Sequence, residues 1–265
     1  MDRTFQGLAE WAKEPVSKLT AELAAGLGER LVAVVVSGDA TEEEPNGVLS
    51  LLVVTTRVDG GVLESVGAAL SKARAGRVEP PLVMTEDEIR RSLDSWPVEF
   101  LSISARGKVV TGSLDLASMP VDEAGLRLQC ERELRGLVIH CRFAYLASRK
   151  DETRLGEMVA GGATKLVVLA RATLKVAGQA AEGSSAEVLK RLGTWLSTVK
   201  SGRGDSGSAE LLADAWAQRN QKRPRWSGER LLALADLLER WVDAVDRLDG
   251  TAGERSGAGN PGWGN

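Results

Sequence analysis

The sequence predicts an α+β protein, with strands confined to the first 120 residues and an all-helical second half. Two observations predict it. Short apolar runs rich in β-branched residues, at Leu31–Val36 and Val48–Thr55, alternate with amphipathic stretches early in the chain. From Asp122 onward such runs disappear, and long segments with helical spacing follow one another.

Each element has its own signal. Phe5, Leu8, Ala12, Leu19, Leu23 and Leu27 form a helical stripe that ends near Gly26 and Gly28. Leu31–Val36 is continuously apolar and reads as a central strand buried on both faces. Ser37–Gly47 is a Glu-rich turn broken by Pro45, Asn46 and Gly47, and Val48–Thr55 is the next strand. Residues 59–75 place Val62, Leu63, Val66, Ala69, Leu70 and Ala73 at helical spacing. Pro81–Met84 is a short strand. Thr85 and Glu88 form a capping box that opens a helix closing before Trp96-Pro97. Val98–Ser104 reads as another strand, and Lys108–Thr111 as one more. Helices are expected at about 122–148, 152–180, 185–200, 208–220 and 227–248, with Ser184 and Glu187 as a second capping box. Gly202–Gly207 is a connector. Six glycines in the last sixteen residues predict a disordered tail. The expected domains are therefore 1–120, 121–249 and a tail at 250–265.

The chain has 265 residues, 43% of them hydrophobic and 27% charged, which is ordinary for a globular protein with a buried core. The net charge of −3 is unevenly spread. Residues 1–125 carry 12 Lys/Arg against 20 Asp/Glu, and residues 126–265 carry 22 against 17. The first half would repel a nucleic-acid backbone, and the two halves could attract one another head to tail between copies. No signal peptide and no apolar run long enough to span a bilayer is visible, so a cytoplasmic protein without a membrane partner is expected. Cys130 and Cys141 lie eleven residues apart on one predicted helix, about 16 Å by helical rise, too far for a disulfide. Two cysteines and one histidine are too few for a Cys/His zinc site, and neither a Walker loop nor a dinucleotide fingerprint is present.

The strand-turn-strand at 31–54 resembles the polymerase-β-type nucleotidyltransferase fold. Pro81–Glu88, Trp96–Ile103 and the Leu126-Arg-Leu-Gln-Cys-Glu-Arg-Glu-Leu-Arg helix extend the resemblance to a bacterial group that pairs a nucleotidyltransferase domain with a C-terminal helical domain. The resemblance implies a mixed sheet in the first domain. In that family a Gly-Ser turn holds triphosphate, and an Asp-x-Asp pair on the next strand holds divalent metal. Residues i and i+2 of a strand share a face, so such a pair converges on one ion. Here the turn maps onto Gly38-Asp39, and the paired positions are Val48 and Ser50. Valine cannot ligate a metal, and an aspartate in the turn would repel phosphate. Glu99 maps onto a further acidic position on a later strand. The resemblance therefore implies a degenerate nucleotidyltransferase, a binding or assembly component with no resident cofactor and with a protein partner or self-association.

Two other readings compete. An active Mg²⁺- and NTP-dependent enzyme would need displaced carboxylates such as Glu42, Glu44 and Glu99. A ribonuclease of the HEPN type would use Arg135 and His140, which match an Arg-x4-His spacing. A five-residue offset turns these two about 140° apart on a straight helix. Arg219, Lys222, Arg223 and Arg225 interleave with Trp216 and Trp226, a pattern that suits single-stranded nucleic acid. The same cations suit an interhelix loop around Pro224 with the tryptophans packed beneath, and nucleic acid is not the expected partner. Trp11, Trp96, Trp195 and Trp241 are expected to be core or interface anchors, and Trp263 to lie in the tail.

Overall fold

The computed structural model describes residues 5–41, 47–73, 78–119, 121–199 and 207–248. Glu42, Glu43, Glu44, the Gly202 end of the connector, the 250–265 tail and Trp263 lie outside the described residues. The chain divides into two compact units, Met1–Leu126 and Arg127–Asn265.

The first unit is built on a four-stranded mixed sheet of order β3-β2-β1-β4. Its strands are β1 (Leu31–Ser37), β2 (Ser50–Thr55), β3 (Leu82–Met84) and β4 (Lys108–Gly112). β1 pairs antiparallel with β2 and β4, and β2 pairs parallel with β3. The continuous apolar runs mark the two central strands, because both faces of the sheet are covered. Val34, Val36, Leu51 and Val53 pack on one face against α1 (Glu10–Leu27) and α2 (Gly60–Ala73), through Val16, Leu19, Leu23, Val62 and Val66. Ala33, Val35, Leu52 and Val54 pack on the other face with Ile89, Phe100 and Ile103. Those residues belong to α3 (Glu86–Ser92) and α4 (Pro97–Arg106).

α4 corrects one expectation: residues 98–104 are helical, not a strand. Val98, Phe100 and Ile103 fit a short alternating pattern, but a window this short does not separate a period of 2 from one of 3.6. Pro97 at the first helical position decides it, since its fixed φ suits a helix start and its missing N–H costs nothing there. The helix stops at Gly107, whose N–H donates to the Ile103 carbonyl at 2.7 Å. Trp96, just before it, is 44% exposed and so is not a core anchor.

The second unit contains α5 (Glu123–Ser148, whose first turn lies in the first unit), α6 (Glu152–Val176), α7 (Ser185–Thr198), α8 (Ser208–Gln218) and α9 (Gly228–Asp246). Both expected capping boxes are present, at Thr85/Glu88 on α3 and Ser184/Glu187 on α7. The buried Trp241 donates its indole N–H to the Thr173 hydroxyl at 2.9 Å, which ties α9 to α6. The buried Arg171 guanidinium donates to the Ala181 and Gly183 carbonyls and holds the α6–α7 connection. Cys130 and Cys141 are both buried on α5, and no disulfide joins them. Among the described residues, no helix is long and apolar enough to cross a membrane.

Candidate functional site

The site the sequence points to is the turn after β1. Gly38–Thr41 forms one 3-10 turn, and Gly38 takes φ +69°, a left-handed conformation that glycine adopts without strain. Hydrogen bonds from within the turn and from its neighbours hold it. The Gly38 carbonyl accepts from the Arg106 guanidinium at 3.1 Å and from the Thr41 hydroxyl at 2.8 Å. The Ala40 carbonyl accepts from the Ala9 N–H at 2.8 Å.

Asp39 is buried, and its Oδ2 accepts the Val48 N–H at 2.9 Å. Its carboxylate therefore bridges the two ends of the acidic loop instead of standing open towards a phosphate. Gly47 is packed so tightly that a Cβ there would sit 2.5 Å from both Asp39 Cβ and Trp11 Cζ2. Val48 precedes β2, which begins at Ser50, and its backbone is committed to Asp39. Ser50 pairs across the sheet with Ser37 at the end of β1, beside the turn. Val48 and Ser50 thus present an isopropyl group and a hydroxyl beside the turn.

One residue at this site was missed in the sequence. The Glu79 carboxylate lies 3.2 Å from the Ser50 hydroxyl, which donates to it. The parallel start of β3 brings it there: Leu49 bridges to Val78, and the Glu79 N–H donates to the Leu49 carbonyl at 3.1 Å. No local motif announces this neighbour, because Glu79 lies 29 residues from Ser50. Arg106, 68 residues from Gly38, was missed for the same reason. Glu99 is exposed in the first turn of α4, not on a strand. No cluster of three or more His, Cys, Asp or Glu with metal-binding geometry occurs among the described residues.

The other candidates are not brought together. Arg135 and His140 are both exposed on α5. The Arg135 guanidinium donates through Nε and Nη2 to Glu131, at 2.9 and 2.8 Å. Arg135 borders a groove with Glu239 and Asp243 of α9, whereas His140 borders a small apolar pocket with Leu137, Met158 and Leu166. They face different surroundings, as a five-residue offset dictates. In the basic cluster, the Arg219 guanidinium lies 4.6 Å from the Trp216 ring centre, and Arg225 pairs with Glu152 at 2.8 Å. Trp216 and Trp226 are buried beneath them. Those cations fasten the α8–α9 connection, while Lys222 and Arg223 are exposed on it.

Solved structures of similar fold are known. The spectinomycin adenyltransferase AAD(9) from Enterococcus faecialis, solved with ATP and spectinomycin, superposes with a TM-score of 0.56 at 11% identity. The match covers 86% of this chain and 99% of that one. The chain has a nucleotidyltransferase-like α+β fold. No protein-family model and no curated protein sequence matches it. At such low identity the likeness carries the fold and no activity.

Proposed function

We propose that this chain is a nucleotidyltransferase-fold protein whose transfer site has been closed by structural residues and which serves as a binding or assembly component of the cytoplasm. The carrying observation is the Asp39–Val48 bond. A carboxylate sits where the turn would face phosphate, and it is used to hold the loop. Val48 and Ser50 support the same reading, since neither supplies the paired carboxylates that two-metal phosphoryl chemistry requires. The fold likeness to an adenyltransferase supports descent from a nucleotide-transfer scaffold. Two buried cysteines outside any disulfide suit a reducing compartment.

Thermal melting with and without millimolar Mg²⁺ and ATP tests this. The wild-type protein should show no Mg²⁺-dependent shift, and the Val48→Asp/Ser50→Asp variant should gain one. A saturable Mg²⁺-dependent shift of the wild type would overturn the reading. One observation favours a second reading, an active enzyme with a displaced ligand: Glu79 stands beside Ser50. In that case nucleotide-dependent stabilisation of the wild type would be lost on Glu79→Gln. Glu42 and Glu44, the other displaced carboxylates, lie outside the described residues.

A further inference from the structure

The second unit displays two unlike helical strips side by side. On α5, Leu128, Ile139, Phe143 and Leu146 are 60, 47, 64 and 72% exposed. At 100° per residue these four fall within about 60° of one another, a single stripe about 27 Å long. The exposed residues between them include Arg132, Arg135 and Arg142, with His140, and Arg149 follows just past the helix end. This strip is apolar and basic. A strip of solvated charge needs no explanation, but three large exposed apolar side chains within about two turns, Ile139, Phe143 and Leu146, do.

The neighbouring strip on α9 has the opposite character. Leu232 is exposed there, and around it at helical spacing stand Glu229, Asp236, Glu239 and Asp243. The two strips meet along a groove of about 320 Å³, which Arg135, Ile139, Arg142, Glu239 and Asp243 border. Arg142 and Glu239 form an ion pair across it.

We propose that this α5/α9 face is a two-fold interface with a second copy of the chain. The surface carries its own complement. A two-fold axis parallel to the helices lays the basic strip of each copy on the acidic strip of the other. A two-fold axis across the helices would instead set arginine against arginine, so charge selects one arrangement. Phe143 is the central aromatic anchor, flanked by Ile139 and Leu146. The complementarity lies within the second unit, which replaces the head-to-tail attraction between halves suggested by net charge alone. The inference deepens the assembly reading above, and its test uses no nucleotide, so the two can fail separately.

Sedimentation velocity of the full chain from 1 to 200 µM checks it. At low salt a species of twice the 28.2 kDa chain mass is expected, weakening as salt rises. Phe143→Glu should leave a monomer with unchanged far-UV circular dichroism, since the ring is exposed and outside the core. Arg142→Glu should weaken association at least about tenfold, as expected for an anchor charge. The swap Arg142→Glu/Glu239→Arg should restore it. A wild-type chain that stays monomeric at 200 µM overturns the proposal. A dimer indifferent to Phe143→Glu overturns it as well.

Discussion

Replacing Asp39 with alanine separates a structural carboxylate from an open phosphate-facing one. The substitution keeps the Cβ that packs near Gly47 and removes only the carboxylate. What is lost is a hydrogen bond from the Val48 N–H to a charged acceptor at 2.9 Å, on a buried side chain. Bonds to charged groups contribute about 1.5–3 kcal/mol, and the orphaned N–H adds to the loss. A loss of about 2 kcal/mol lowers Tm by roughly 4–8 °C in a chain of this size. Asp39→Asn retains an acceptor oxygen and should lose less than half as much. Urea denaturation gives the free energies, and hydrogen exchange at the Val48 amide reads the bond directly, with exchange accelerated in Asp39→Ala. If Asp39→Ala is neutral or stabilising and instead gains heat on ATP addition, the carboxylate faces the phosphate pocket and the reasoning fails.

Three further outcomes follow from the same geometry. Gly47→Ala should destabilise by about 1–3 kcal/mol in urea, because its Cβ would overlap Asp39 and Trp11 at 2.5 Å. Burial pushes the Cys141 thiol up to about 11 from its ordinary value near 9, so the folded protein should react slowly with a disulfide reagent at pH 8 and rapidly once unfolded. The unfolded thiol ionises first, so stability from this site is complete below pH 9 and is lost as pH rises towards 11; a melting series on wild type and Cys141→Ala reads the difference. Backbone hydrogen bonds from Thr85 and Ser184 hold Glu88 and Glu187 below the usual carboxylate range. Their capping stability is present above about pH 4.5 and is lost on acidification, and it should vanish from the pH profile of Glu88→Gln/Glu187→Gln.

The sequence was most legible where one short-range pattern had one physical meaning. The runs at 31–36 and 51–54 can be apolar throughout only if both sheet faces are buried, and they are. Each capping box is a closed set of four residues, and both stand as read. Legibility fell where two periods competed, as at 98–104, and where neighbours are made by topology. Glu79 reaches Ser50 only because β3 runs parallel to β2, and Arg106 reaches Gly38 only because α4 ends under the turn. The identity of Asp39 was readable, but the direction of its carboxylate was not. A residue type gives the charge, and only packing shows what that charge touches.

The most direct test is calorimetric titration of the wild-type chain with each nucleoside triphosphate, with and without Mg²⁺. The closed turn predicts no saturable heat at millimolar ligand under either condition. Saturable, Mg²⁺-dependent binding would contradict the account.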